Sequence, residues 1–143
     1  MARPRVHLLV ALGLGLWQWR RHRRWPAALA PLISGFLIDL DHLLDHRLGR
    51  RAGHRLILPL HGWEYLLPLA WLERRRPATG HGLTLGYLAH LLVDQVTNQI
   101  SHPAAYSLFF RWRRGFSQTL FDPPGSPSGA WRQTPLRQLW RWF

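Results

Sequence analysis

The chain has 143 residues, 19 basic against 7 acidic ones for a formal net charge of +12, and no cysteine. That size suits one domain with a real core, and the charge calls for anionic partners such as phosphate-bearing substrates, nucleic acid or an anionic membrane surface. Disulfides and thiolate ligands are excluded, so any metal has to be held by imidazole and carboxylate.

Five apolar stretches succeed one another, each closed by arginines: Val6–Trp19, Trp25–Leu44, Leu56–Leu72, Gly82–Val96 and Ala104–Phe110. The opening MARPRVHLLVALGLGLW imitates an export signal, but RRHRR (Arg20–Arg24) opposes export of the downstream chain and no small-residue cleavage site precedes it. The segment is therefore expected to stay in the protein. Leucine and alanine dominate the stretches and β-branched residues are few, which predicts helices throughout. The expected fold is all-α, a small bundle of four to five apolar helices over residues 1–121.

Several stretches are shorter than the roughly 20 apolar residues a membrane span needs, and the longest carries Asp39, Asp41 and His42. Tryptophans flank the segments (Trp17, Trp19, Trp25, Trp63, Trp71, Trp112), as at a membrane interface. A bundle embedded in, or lying against, an anionic bilayer is expected. No nucleic-acid-binding motif is present, which sets nucleic acid aside as a partner. Residues 122–130, DPPGSPSGA, read as a linker. Residues 131–143, WRQTPLRQLWRWF, read as an amphipathic tail with tryptophan on one side and arginine on the other, suited to anionic lipid.

The chemistry concentrates in FLIDLDHLLDH, Phe36 to His46. Ionised side chains among leucines are costly unless compensated. On one continuous helix Asp39, His42 and His46 fall within roughly 60° of one another, with Asp41 and Asp45 further round the polar half. His61 and Glu64 are three apart and His90 and Asp94 four apart, so each pair is expected on one helix face. His7 stands alone in the first stretch. Helical bundles build metal sites from such inward-facing groups on several helices. The alternatives are hydrogen-bonded core pairs, a solvated face, or acids gathered at a helix N-terminus.

SGFLIDLDHLLD, a later LHGWE and GYLAHLLVDQVTN together resemble the bacterial membrane-bound metal-dependent hydrolase family, itself distantly similar to zinc-dependent phospholipase C. The similarity spans roughly residues 7–98. It equates His7, Gly35 with Asp39, Asp41 and His42, then His61, then His90 with Asp94, with the family's motif positions. Ile38 stands where the family has proline, and Leu60-His61-Gly62 where it has Thr-His-Ser.

The resemblance implies a bacterial inner-membrane protein, integral or tightly peripheral, with one or two divalent ions, zinc first. His7, Asp39, Asp41, His42, His61, His90 and Asp94 would be the ligands and Glu64 the general base or an orienting group. The substrate would be a phosphoester, including a phospholipid headgroup, with Arg47, Arg50 and Arg51 as phosphate contacts. The competing expectation is a non-catalytic helical membrane protein whose buried His and Asp residues tie helices together.

Overall fold

The computed structural model describes residues 4–42, 57–98 and 102–121. These residues are mostly helical and contain no strand. The helices are α1 (Pro4–His22), α2 (Trp25–Leu37), α3 (Leu66–Arg74), α4 (Gly82–Thr97) and α5 (Leu108–Arg113), with short 3-10 turns at Trp63–Tyr65, Pro77–Thr79 and Gln118–Leu120. The proposed linker and tail, 122–143, lie outside the described residues, as do Asp45 and His46.

α1, α2 and α4 pack on one another, and α3 packs on α4. Small residues make the three-helix contact: Ala11 on α1, Ala27, Ala28, Ala30, Pro31, Ser34 and Gly35 on α2, and Gly82 and Gly86 on α4 are buried. A Cβ on Gly86 would come within 2.5 Å of the Pro31 backbone, so α4 can approach α2 this closely only with glycine there. A second cluster gathers Ile38, Leu58, Tyr87, Leu91, Ala105, Tyr106 and Phe121. Segments without regular structure thereby gain a core of their own.

Two buried or capping groups organise helix starts. Glu73 on α3 is buried and accepts from Leu83 N and Thr84 N at 2.8 and 2.9 Å, capping the first turn of α4 after the left-handed residues Gly80 (φ 56°) and His81 (φ 64°). At α5 the N-cap Ser107 accepts from Phe110 N.

Three sequence expectations change. FLIDLDHLLDH is interrupted: α2 stops at Leu37, Ile38 and Asp39 form a turn, and helix resumes at Leu40–His42, with Asp39 N on Phe36 O, Asp41 N on Ile38 O and His42 N on Asp39 O, each at 3.2 Å. These tighter bonds rotate successive residues further than an α-helix does, so Asp41 turns inward and is fully buried. Leu56–Leu72 is likewise interrupted: His61 lies in an irregular segment, and helix begins only at Leu66. Pro59 offers no backbone donor and disfavours helix at the residue before it, and Gly62 is extended at φ −133°, ψ 126°. In the last stretch helix begins at Leu108, after a turn that buries Ala105 and Tyr106. No described helix is long and apolar enough to cross a membrane.

Candidate metal centre

Four places in the chain contribute. α1 supplies His7; the turn after α2 and the helical residues Leu40–His42 that follow it supply Asp39, Asp41 and His42; the irregular segment before α3 supplies His61; α4 supplies His90 and Asp94, one helical turn apart. The small-residue contact between α1 and α4 lets the His7 and His90 rings stack with centroids 4.1 Å apart. His7 Nε2 lies 3.2 Å from Asp94 Oδ1. The ligand atoms of His7, His90 and Asp94 fall within 4.8 Å of one another, and so do those of Asp39, His42 and His61.

The two groups merge at their centre. His61 Nε2 faces His90 Nε2 at 3.3 Å. Asp94 Oδ2 is 3.4 Å from both nitrogens, and Asp39 Oδ1 is 3.4 Å from His90 Nε2 and 3.9 Å from His61 Nε2. Five of the six separations among these two imidazole nitrogens and two carboxylate oxygens are 3.3–3.9 Å. Bonds of about 2.0–2.1 Å from a tetrahedral ion require ligand–ligand separations of about 3.3–3.4 Å. The buried His and Asp groups can therefore hold a metal ion.

Behind these atoms, Asp41 Oδ2 lies 3.0 Å from His61 Nδ1 and accepts from Leu60 N at 2.8 Å. A carboxylate only accepts here, so the Nδ1 proton is fixed and the His61 Nε2 lone pair points at the centre when the ring is neutral. This is the carboxylate–imidazole arrangement that orients metal-binding histidines. The Nδ1 atoms of His7 and His90, both buried, make no such bond among the described residues.

Electrostatics reflect the crowding. Burial alone would depress His61, but its hydrogen bonds to Asp41 and Asp94 carry its pKa up to about 9. Burial would raise Asp94, yet His61, His7 and His90 hold it well below the usual carboxylate range. His42 is pushed down by burial and by the charge of His61. Without an ion the His61 ring keeps both protons; an ion would displace the one on Nε2.

Exposure marks one side of the centre. The Asp39 side chain is 40 % exposed and that of His42 27 %, whereas His61, His90 and Asp94 are at most 7 % exposed. Asp39 and His42 thus form the solvent-facing side of the centre.

The structure gathers His7, Asp39, Asp41, His42, His61, His90 and Asp94 into one neighbourhood. It takes Glu64 elsewhere. The exposed Glu64 carboxylate accepts from Ser107 Oγ at 2.6 Å, Leu108 N at 3.0 Å and Phe109 N at 3.2 Å. Burial would raise its pKa, but these bonds lower it. The 3-10 turn at Trp63–Tyr65 aims it at the start of α5, so it belongs to a helix cap. Arg47, Arg50 and Arg51 lie outside the described residues.

Sequence reasoning passes over Asn98, Tyr87 and Arg111. Asn98 Nδ2 donates to Asp94 Oδ1 at 3.0 Å and so orients a central carboxylate. The only sequence signal for it is its i+4 spacing from Asp94. Tyr87 and Arg111 reach the backbone around His61 and carry no local pattern that marks them.

No protein-family model matches the chain, and neither curated proteins nor solved structures provide a match.

Proposed function

We propose that the protein is a membrane-associated, metal-dependent hydrolase that acts on a phosphoester and uses zinc. One observation carries the reading: His61 Nε2 and His90 Nε2 lie 3.3 Å apart, with Asp94 and Asp39 carboxylate oxygens 3.4–3.9 Å from them and the Asp39 side partly exposed. Bundled helices otherwise have little reason to set two imidazole nitrogens 3.3 Å apart between two carboxylates. When bound, a divalent ion supplies Lewis-acid activation of water and of a phosphoryl oxygen. The chain's own part is to hold His61 in one tautomer through Asp41, to fix Asp94 through Asn98, and to leave Asp39 and His42 where a substrate can arrive.

Surface chemistry supports lipid as the setting. The helix contacts are built from small residues, while Leu9, Leu12 and Leu16 on α1 and Leu29, Ile33 and Phe36 on α2 face outward. That polarity is inverted relative to a water-soluble bundle and is the pattern of helices packed within lipid. Exposed Trp17 and Trp25 sit beside the exposed arginines Arg20, Arg21, Arg23 and Arg24, as at an anionic interface. Phe36, Leu37 and Leu40 around Asp39 are also exposed, which favours an amphiphilic phosphoester such as a phospholipid headgroup. Tight peripheral attachment to the bacterial inner membrane fits these features and the lengths of the helices.

A second reading has an observation of its own. His61 bridges Asp41 and Asp94 with a pKa carried to about 9, as an internal ion-pair network would require without any metal. Elemental analysis of detergent-purified protein separates the two. The hydrolase reading expects stoichiometric zinc, together with chelator-sensitive hydrolysis of bis-p-nitrophenyl phosphate or of phospholipid in vesicles. Purification without any divalent metal, and failure to take zinc up on reconstitution, would leave the network reading standing.

A further inference from the structure

His61 lies in a segment with little hydrogen bonding of its own. Within 58–62 the only backbone bond among the described residues is His61 N to Leu58 O at 3.2 Å. Side chains from two helices hold the rest. On α5, Arg111 Nη2 donates to Leu58 O at 2.9 Å and to His61 O at 2.5 Å. On α4, the Tyr87 hydroxyl accepts from Gly62 N at 3.1 Å and lies 2.5 Å from Leu60 O and 2.8 Å from Gly62 O, to either of which it can donate. Asp41 takes Leu60 N. The carbonyls of Leu58 and His61, and one of those of Leu60 and Gly62, are therefore held by side chains from outside the segment.

We propose that Arg111, assisted by Tyr87, is a positioning residue of the metal centre: it holds the backbone of His61 so that Nε2 meets Asp39, His90 and Asp94. The inference rests on the metal reading above. Two facts set Arg111 apart from an ordinary helix residue. It is fully buried, and its Nε and Nη1 have no hydrogen-bond partner among the described residues. A buried guanidinium so poorly satisfied is costly unless charge nearby offsets it. Asp41 and Glu64 are the carboxylates that favour its charge. A neutral side chain at position 111 would hold the carbonyls less firmly. Tyr87 performs the uncharged half of the task, and its own pKa is raised, by burial first, so it stays a hydroxyl.

The test compares full-length Arg111→Met, Arg111→Lys and Tyr87→Phe with the native chain and with Gln18→Met. Gln18 donates to Gly80 O at 2.7 Å, away from the centre. Zinc affinity is read by competition with a chromophoric chelator, and geometry by the visible d–d bands of the cobalt-substituted protein. Loss of an orienting partner typically weakens metal binding by about 10–100-fold. Arg111→Met is expected in that range with altered cobalt bands, Arg111→Lys recovers most of the affinity, and Tyr87→Phe shows a smaller loss of the same kind. Gln18→Met loses stability while affinity and bands stay as in the native chain. If Arg111→Met does not fold, Tyr87→Phe carries the comparison. Native zinc affinity and unchanged cobalt bands in folded Arg111→Met and Tyr87→Phe would overturn the positioning role and leave the metal reading intact. Failure of the native chain to bind zinc or cobalt would remove both.

Discussion

His61 lies between Asp41 on Nδ1 and Asp94 on Nε2, and these partners carry its pKa up to about 9 against the pull of burial. A group whose folded pKa is raised stabilises the fold fully below its unfolded pKa, about 6.5 for histidine, and loses that contribution as pH rises through the folded value. Chelator-treated protein should therefore be more stable to urea at pH 6 than at pH 9, and His61→Gln should flatten that slope. Zinc has to displace the same proton, so its affinity should rise as pH goes from 6 to 8. A metal-free protein whose stability increases over this range would contradict the assignment. The acids divide just as sharply. Asp94→Asn leaves three imidazoles without their shared counter-charge and should cost about 3–5 kcal/mol with loss of zinc. Glu64→Gln weakens only the cap of α5, about 1 kcal/mol, and should leave zinc binding unchanged in the same chelator competition.

Between elements, glycine decides how close α2 and α4 come. Gly86→Ala would bring a methyl into Ser34 Oγ and to 2.5 Å from the Pro31 backbone, which has no rotamer by which to move away. A loss of about 1–3 kcal/mol is expected. Because His90 and Asp94 come later on the same helix, zinc affinity should fall with it. Gly35→Ala is the matched control: its Cβ would meet Ala11 Cβ at an ordinary 3.6 Å. The alanine removes a helix-interior glycine and should stabilise the fold by up to about 1 kcal/mol. Thermal denaturation of the two variants checks both signs.

For the molecule as a whole, an ion at this centre would link donors from α1, the turn after α2, the segment before α3, and α4. Such a ligand binds the folded chain far better than the unfolded one. At free zinc 100 times its Kd the fold should gain about 2.7 kcal/mol. An upward shift in melting temperature with zinc, reversed by chelator, is the measurement. The outward apolar faces of α1 and α2 and the net charge of +12 act at the same scale. Co-sedimentation with anionic vesicles should therefore be strong at low salt, fall at high salt and be weaker on neutral lipid.

The all-α character, the arginine-closed segments and the His90–Asp94 pair are legible in the chain, because helix propensity and i, i+4 spacing are local properties, whereas His7 and His61 join the set through the family resemblance. α4 shows this best: its expected and observed limits differ by one residue. Legibility fails where the helix is interrupted. A continuous helix through Asp39 and Asp41 would put both on one polar half. The tightened turn after Leu37 instead sends Asp39 to the centre and Asp41 behind His61. The spacing of His61 and Glu64 suggests a shared face, yet Pro59 and Gly62 keep that segment out of a helix, and Glu64 meets α5 instead. Contacts between residues 50 apart, such as Arg111 with the His61 carbonyl, leave no periodic trace. The order of residues determines which donors exist and which helices carry them. Only packing of the whole chain brings them within ion-binding distance, because that distance depends on backbone turns and long-range contacts that no local pattern encodes.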